Sequence, residues 1–224
     1  MSHAAKQRIY EQFARVGKAL ASPSRLELLD LLAQGERSVD ALAREAALSV
    51  ANASQHLQQL YAARLVDSRR EGQRIFYRLA GPSVATLWHA LRDTAQQQLA
   101  ELDVVAREYL EGRDDFEPIS RAELAKRLKT GAVTLIDVRP AEEFEQGHIE
   151  GAVSVPLDQV KEWVKSAPRR KQVVAYCRGP YCVYALKALA ELRKRGITGL
   201  RSEDGVAEWR AAGLPVATGA GRAS

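Results

Sequence analysis

Apolar residues recur at every third or fourth position through most of the first half of the chain, which is the spacing of helices that bury one side. The first predicted helix covers residues 4–21, and its apolar positions are Ile9, Phe13, Val16 and Leu20. Serines predict the starts of three further helices, because a serine hydroxyl can accept a hydrogen bond from a backbone amide of the first helical turn. These helices cover about residues 23–34, 39–46 and 50–60, after Ser22, Ser38 and Ser49.

The fourth of these helices has an apolar side and a polar side. Its apolar positions are Val50, Ala53, Leu57 and Leu60, and its polar positions include Asn52, Ser54, Gln55 and His56. Amide, hydroxyl and imidazole groups can hydrogen-bond with base edges in the major groove of DNA. The four polar residues are therefore candidate DNA contacts, and a polar helix that only faces solvent is the alternative.

The spacing of apolar residues changes after the fourth helix. Residues 65–69 and 74–79 resemble strands, and residues 70–73 between them predict a β-hairpin. Residues 64–78 contain five arginines and two acidic side chains. This charge favours either a nucleic-acid contact or a solvated basic face. The candidate DNA contacts in the hairpin are Arg69, Arg70 and Arg74.

The second half of the chain alternates between predicted helices and strands. A charged segment with glycine and proline, residues 111–118, is the predicted linker. A capping box at Ser120 opens a helix, and residues 133–137 form the next predicted strand. Such alternation predicts an α/β domain with a mostly parallel sheet and a binding site at the carboxyl ends of the strands.

Both cysteines of the chain lie near one such strand end. Residues 173–176 predict a buried strand that leads into Cys177, and residues 183–195 have the spacing of a helix. Gly179 relaxes the intervening loop, so that loop amides and the helix N-terminus can converge on the sulfur of Cys177. Together with Arg178 they favour the thiolate, which is the nucleophilic form of cysteine. The candidate backbone donors belong to Gly179, Tyr181 and Val183.

Composition limits the remaining functions. The chain has 224 residues and a net charge of +5, and no stretch has the apolar length of a membrane span. We therefore expect a cytoplasmic protein without a membrane partner, in which cysteines are normally reduced and have a reactive or regulatory role. The histidines show no metal-ligand spacing, so we expect no metal site and no cofactor. They are His3, His56, His89 and His148.

Three ordered segments of the first half resemble the ArsR/SmtB family of bacterial repressors. They are residues 19–26 (ALASPSRL), residues 54–60 (SQHLQQL), and residues 65–79 from Leu65-Val66 through Arg70-Glu71-Gly72-Gln73 to Tyr77-Arg78-Leu79. The resemblance implies a mainly α winged helix-turn-helix domain that binds double-stranded operator DNA as a homodimer. It also implies dimerisation through terminal helices. The apolar side of a helix predicted over residues 83–110 is a candidate for that contact, and an intramolecular core is the alternative.

The chain departs from the metal-sensing members of that family. Those members often have cysteines in the third helix, where this chain has residues 36–42 (ERSVDAL) and no thiol. His89 also lacks partners at the spacing of the family's other metal site. Metal or arsenic sensing is therefore disfavoured.

Most of residues 117–217 resemble the rhodanese family of sulfurtransferases. The matching motifs are Asp137-Val138-Arg139-Pro140, Glu143-Phe144, residues 147–152 (GHIEGA), Pro156-Leu157, residues 205–209 (GVAEW) and residues 213–216 (GLPV). The resemblance implies that Cys177 is the nucleophile and that it takes sulfur from a small donor such as thiosulfate or a polysulfide. We expect Asp137 and Arg139 to be structural, and for His148 we favour a structural role over that of a catalytic base.

The length of the cysteine loop favours sulfur as the transferred atom. In the family, sulfurtransferase loops have six residues, here 177–182, whereas related phosphatases and arsenate reductases have longer loops with an arginine beyond them. Val183 occupies the next position here. Pro180 has no amide hydrogen to donate, which leaves one donor fewer in the loop. Cys182 adds a second thiol, which is either a small buried residue or a partner that can form a disulfide with Cys177 if their Cα atoms lie within about 7 Å.

Two functions follow from these patterns. In the first, the chain is a transcriptional regulator, expected to be a repressor, whose DNA binding depends on the sulfur or redox state of Cys177 and Cys182, with Arg178 beside the nucleophile. In the second, it is primarily a thiosulfate or persulfide sulfurtransferase, and its helix-turn-helix half serves dimerisation or targeting. The predicted parts are a DNA-binding and dimerisation domain (1–110), a linker (111–118), a rhodanese domain (119–217) and a flexible tail (218–224).

Overall fold

The computed structural model describes residues 3–110, 116–168 and 171–220, and the chain divides into two compact units after Gln97. Residues 111–115 of the predicted linker lie outside the described residues, and its last residue, Pro118, begins a strand. Residues 221–224 of the predicted tail also lie outside them. In the described part of the chain, no helix is long and apolar enough to cross a bilayer.

The first unit consists of helices and a small antiparallel sheet. Its elements are α1 (His3–Leu20), α2 (Pro23–Ala33), β1 (Arg37–Ser38), α3 (Val39–Glu45), α4 (Val50–Ala62), β2 (Val66–Glu71), β3 (Arg74–Leu79) and α5 (Pro82–Gln98). Ser38 and Ser49 cap α3 and α4 through their hydroxyl groups, as the sequence predicts. Ser22 stands at the N-cap of α2, but no capping hydrogen bond of its side chain is present among the described residues. Pro23 occupies the first turn of α2 and sets its backbone angle.

Leucines from three helices form the core of the first unit. Leu28 of α2, Leu42 of α3, and Leu57 and Leu60 of α4 are fully buried. Full burial of one leucine side chain stabilises a fold by about 1.5–3 kcal/mol, so α4 is held firmly by this side. Val50 lies on the same side by the helical spacing, but as the first residue of α4 it precedes the core and is 50% exposed.

The sheet of the first unit has the strand order β1-β3-β2, with antiparallel neighbours. Strand β2 extends to Glu71, so the hairpin turn contains two residues rather than the predicted four. Gly72 has a φ of +60°, a left-handed conformation that two-residue hairpin turns require and that glycine adopts without strain. Strand β1 was not predicted, because two residues show no measurable periodicity.

The long helix predicted over residues 83–110 is interrupted. Helix α5 ends at Gln98, and a separate helix, α6, begins at Ala100 and falls in the second unit. The elements of the second unit are α6 (Ala100–Leu110), β4 (Pro118–Ile119), α7 (Arg121–Lys129), β5 (Val133–Asp137), α8 (Ala141–Gln146), β6 (His148–Ile149), β7 (Val153–Ser154), α9 (Val160–Ser166), β8 (Gln172–Tyr176), α10 (Tyr184–Arg193), β9 (Gly199–Ser202), α11 (Val206–Ala211) and β10 (Val216–Ala217).

The second unit is an α/β domain built on a parallel sheet of five strands in the order β4-β9-β8-β5-β7. Strand β8 lies in the middle, and its alternate residues enter two different apolar clusters. Val173 and Ala175 belong to one cluster, which also contains Cys177, and Val174 and Tyr176 belong to the other. Both faces of the sheet are therefore covered, as is typical of parallel sheets. The predicted fold class of the two domains is confirmed.

Candidate functional site

The candidate DNA-contacting residues of α4 differ in their access to solvent. Asn52 and Gln55 are exposed, and Ser54 and His56 are half-buried. The Nδ1 atom of His56 is buried without a hydrogen-bond partner among the described residues. The structure thus leaves Asn52 and Gln55 open to an incoming base edge, and it turns part of His56 toward the protein.

The three candidate arginines of the hairpin have different surroundings. The guanidinium of Arg69 donates to the carboxylates of Glu36 and Glu71 and lies over the ring of Phe76, with 4.6 Å from Cζ to the ring centroid. These hydrogen bonds, above all the one to Glu36, raise the pKa of Arg69 above its ordinary value. Its charge is therefore shared with two carboxylates, which weakens its attraction for a phosphate.

Arg70 and Arg74 are exposed and occupy opposite faces of the hairpin. Arg70 pairs with Ile75 in the strand register, and its Nε donates to the carbonyl oxygen of Gly72 at 3.0 Å. Arg74 pairs with Glu71, so it shares a face with Arg69, because neighbouring strand residues alternate between faces. The guanidinium groups of Arg70 and Arg74 thus belong to opposite faces of the predicted basic hairpin.

Cys177 directly follows β8, and the structure joins its sulfur to that of Cys182. Their Cα atoms are 6.3 Å apart, inside the range that a disulfide can bridge. Cys177 is 3% exposed and belongs to an apolar cluster with residues of β8 and α10. The loop therefore brings together the two thiols that the sequence singles out.

Backbone groups of Gly179 and Cys182 organise the loop that joins the two sulfurs. The amide of Cys182 donates to the carbonyl oxygen of Gly179 at 3.2 Å, which closes a turn inside the loop. The carbonyl oxygen of Cys182 lies 3.4 Å from Sγ of Cys177, and an oxygen at this place does not stabilise negative charge on sulfur. Gly179 has a φ of +141°, in agreement with its predicted role of relaxing the backbone. Tyr181 and Val183 are half-buried, and Val183 is the N-cap of α10.

The guanidinium of Arg178 is paired with a buried carboxylate. Its Nη2 lies 2.6 Å from Oε1 of Glu143, a residue of α8 that is 2% exposed. The guanidinium also lies over the ring of Tyr184, with 5.4 Å between Cζ and the ring centroid. The sequence shows Arg178 beside Cys177 but not Glu143, which comes from a distant segment and neutralises the charge.

Gly205 lies against the backbone of the cysteine loop, and the sequence did not predict this close approach. A Cβ atom at this position would lie 2.6 Å from the carbonyl carbon of Arg178 and 2.7 Å from the carbonyl oxygen of Cys177. The amide of Gly205 donates to Oε2 of Glu208 at 2.9 Å, which caps the start of α11. The sequence contains a signal for the helix cap, which is a glycine three residues before a glutamate at a helix start.

The residues that were predicted to be structural lie in the buried scaffold. Asp137 and Arg139 are fully buried, with Nη2 of Arg139 2.6 Å from Oδ2 of Asp137 and 2.7 Å from the carbonyl oxygen of Gly147. His148 donates from Nδ1 to the carbonyl oxygen of Phe144 at 2.8 Å, and the two rings stack at 3.7 Å. The imidazole of His148 is thus engaged in packing. Within the described ranges, no cluster of three or more histidine, cysteine or acidic residues has the arrangement of a metal site.

A cleft of about 900 Å³ lies beside the first turns of α10. Val138 and Pro140 after β5 and Leu157 after β7 supply apolar lining, while Tyr184 and Lys187 line it from α10. Because the ring of Tyr184 also contacts Arg178, the cleft borders the cysteine loop. This position, at the carboxyl ends of parallel strands, is where ligands commonly bind in α/β domains.

Comparison with known proteins identifies both halves. Residues 22–68 match the family described as bacterial regulatory protein, arsR family, and residues 120–212 match the rhodanese-like domain. The HTH-type transcriptional regulator Rv0324 of Mycobacterium tuberculosis is 46% identical over 215 residues, which cover 96% of this chain and 94% of that protein. The chain is an arsR-family transcriptional regulator with a rhodanese-like domain. Both resemblances in its sequence are thereby confirmed.

Other relatives match one half of this arsR-family regulator. The nodulation protein NolR of Rhizobium meliloti is 43% identical over 75 residues, which cover 34% of this chain and 62% of that protein. The homodimeric winged helix-turn-helix DNA-binding domain of Mb0332 from Mycobacterium bovis (fragment 1-100) is 46% identical, covers 45% of this chain and 93% of that chain, and has a TM-score of 0.42. A rhodanese-related protein from Thermoplasma volcanium is 26% identical, covers 46% of this chain and 98% of that chain, and has a TM-score of 0.41.

Proposed function

We propose that this regulator represses transcription by binding operator DNA as a homodimer, and that the bonding state of Cys177 and Cys182 sets its affinity for DNA. The observation that carries the proposal is the pairing of these two cysteines, 6.3 Å apart at Cα, after the central strand of the second unit. The chain has no other cysteine. Any thiol-dependent signal must therefore begin at this loop.

The contact with DNA is supported by α4 and the hairpin. Asn52 and Gln55 carry exposed amides that can hydrogen-bond with bases, and Arg70 and Arg74 carry exposed cations that can contact phosphates. The homodimer is supported by apolar side chains on the surfaces of α1 and α5, and by the homodimeric state of the Mycobacterium bovis relative. These exposed apolar residues are Ile9, Tyr10, Phe13, Leu87 and Leu91.

The proposed chemistry starts from the reduced loop. The thiolate of Cys177 attacks a terminal sulfur of a polysulfide, which forms a persulfide on Cys177 and releases a polysulfide shorter by one sulfur. The thiolate of Cys182 then attacks Sγ of Cys177 and expels hydrosulfide, so that a disulfide remains. The two cysteines are oxidised, the transferred sulfur is reduced, and a cellular thiol that reduces the disulfide returns the loop to its starting state.

The test measures the affinity of the full chain for its own promoter DNA in three states: fully reduced, treated with polysulfide, and treated with polysulfide followed by a dithiol reductant. We expect treatment to change the dissociation constant at least tenfold and the reductant to restore it. The dissociation constant of Cys177→Ser should change with neither polysulfide nor reductant. Cys182→Ser should gain one sulfur by intact mass without forming the internal disulfide. Identical affinities in all three states would contradict the proposal.

Sulfur transfer as the primary function is the second candidate, supported by the position of Cys177 in a rhodanese-like domain. In that reaction the thiolate of Cys177 takes the outer sulfur of thiosulfate and releases sulfite, and the persulfide then passes its sulfur to an acceptor thiol. Sulfite release that continues over many turnovers, together with equal affinity for promoter and random DNA, would favour this candidate. Sulfite release that stops after one equivalent favours the regulator.

A further inference from the structure

Val50 is an exposed apolar residue at the start of α4. It is 50% exposed, while the next residues along the apolar side of α4, Ala53 and Leu57, are completely buried. Its exposed neighbours in the chain are Ser49, Ala51 and Asn52. A single exposed apolar residue is ordinary on a protein surface, so its exposure alone does not mark a contact. What singles out Val50 is its place as the first residue of α4, the helix that carries the candidate DNA contacts.

The first turn of α4 holds Val50 in a defined position. Ser49 accepts a hydrogen bond from the amide of Asn52 at 3.2 Å, which fixes the start of the helix, and Leu57 and Leu60 anchor the following turns in the core. A β-branched side chain also has few rotamers in a helix, so little conformational entropy is lost when it makes a contact. Val50 is thus a rigid apolar group in the first turn of α4.

The major groove of DNA presents one exposed apolar group, the C5-methyl of thymine. The first residues of a recognition helix are those that contact base edges in helix-turn-helix proteins. We propose that Val50 packs against the methyl group of a thymine in each half-site of the operator and so determines which base is accepted there. This inference rests on the proposed reading of DNA by α4, and it adds a residue that recognises shape rather than hydrogen-bonding groups.

The test removes the methyl group from the DNA without changing base pairing. Duplexes that bind the reduced full-length protein are selected from a random pool, and each thymine of the selected site is then replaced by deoxyuridine at both symmetric positions. We expect one pair of substitutions to weaken binding of the wild-type protein about fourfold per half-site, the effect of one buried methylene-sized group. Substitutions at the other thymines should change affinity less than twofold.

The matching change in the protein is Val50→Ala. This variant should bind the thymine duplex as weakly as the wild-type protein binds the uracil duplex, and it should no longer distinguish the two. Val50→Thr, which keeps the branched shape and one methyl group, should retain part of the preference. Tyr61→Ala is the control, because Tyr61 is an exposed apolar residue of the same helix, 53% accessible, at the opposite end. It should leave the preference for thymine unchanged.

The outcomes separate this inference from the function on which it rests. Selected duplexes that tolerate uracil at every position would overturn the role of Val50 and leave DNA recognition intact. The same holds if Val50→Ala keeps the full preference for thymine. If the pool yields no preferred duplex, both the inference and the proposed reading of DNA are overturned. All three variants should unfold at the same temperature as the wild-type protein. If Val50→Ala alone unfolds at a lower temperature, the test rests on Val50→Thr, and an unchanged preference for thymine in that variant would overturn the inference.

Discussion

Arg178 and Glu143 illustrate how much a single side chain of this regulator depends on residues far away in sequence. The carboxylate of Glu143 is 2% exposed, and it accepts hydrogen bonds from Nε and Nη2 of Arg178. It also lies 3.9 Å from Nη1 of the fully buried Arg139. Removal of this carboxylate would leave buried positive charge without compensation, which is more costly than the net value of the ion pair.

We therefore expect Glu143→Ala to lower the free energy of unfolding of the second unit by about 3–5 kcal/mol. Glu143→Gln should cost less, because the amide oxygen can still accept a hydrogen bond. The measurement is urea unfolding under oxidising conditions, with Glu142→Gln as the control, since that neighbour in the same helix is exposed. A loss below about 1 kcal/mol for Glu143→Ala would show that the cluster is not a stabilising unit.

Gly205 leads to a second prediction at the residue scale. A methyl group at this position would collide with backbone atoms of Arg178 and Cys177, and backbone cannot move aside as a flexible side chain can. We expect Gly205→Ala to destabilise the second unit by about 1–3 kcal/mol and to slow closure of the Cys177–Cys182 disulfide. Gly81→Ala is the control, because an added Cβ there has no atom within 4 Å. Disulfide closure at an unchanged rate would mean that the loop does not rest on Gly205.

At the scale of elements, the sequence predicted most helices and strands because their buried sides follow a regular spacing. Ser38 and Ser49 cap α3 and α4 as expected, and strand β5 covers residues 133–137 as predicted. The predictions are wrong where tertiary contacts, rather than the spacing of apolar residues, determine where an element begins and ends. The interruption at Leu99 does not disturb the apolar spacing on either side, and strands of two residues such as β1 exist only through their partners.

The exposed side of α4 and the hairpin are expected to contribute to DNA binding in different ways. Asn52→Ala and Gln55→Ala should reduce the preference for operator over random DNA by about 1–3 kcal/mol for each good base contact. Arg70→Ala should weaken binding to both DNAs about equally and lower the salt slope by about 1. Titrations at several salt concentrations on both duplexes check this. Arg69→Ala is a useful comparison, because its guanidinium is already paired with Glu36 and Glu71.

The candidate site was only partly predictable from the sequence. Cys177, Gly179 and Cys182 are adjacent in the chain, so a six-residue loop after a strand was enough to group them. Glu143, which pairs with Arg178, and Gly205, which contacts the loop, come from segments about thirty residues away, and no spacing rule connects them.

At the scale of the whole molecule, each unit has its own apolar core, and only the second contains cysteine. Closing a ring of this size stabilises a fold by about 2 kcal/mol in the chain-entropy account. Reduction should therefore lower the unfolding transition of the second unit and leave that of the first unchanged. Calorimetry with and without a dithiol checks this, and the double variant Cys177→Ser and Cys182→Ser should match the reduced protein. Equal shifts of both unfolding transitions would contradict the expectation that the two cores unfold independently.

The ring between Cys177 and Cys182 encloses the bond that joins Arg178 to Gly179. Trypsin cuts after arginine, so digestion of the denatured and thiol-blocked chain severs the backbone inside the ring. When the sulfurs are free, the peptides on either side of the cut separate. When they are joined, the two peptides leave the column as one species, heavier than the uncut sequence by one water molecule and lighter by the two hydrogens of the disulfide. A single protease thus reports the bonding state of the two cysteines in protein taken directly from cells.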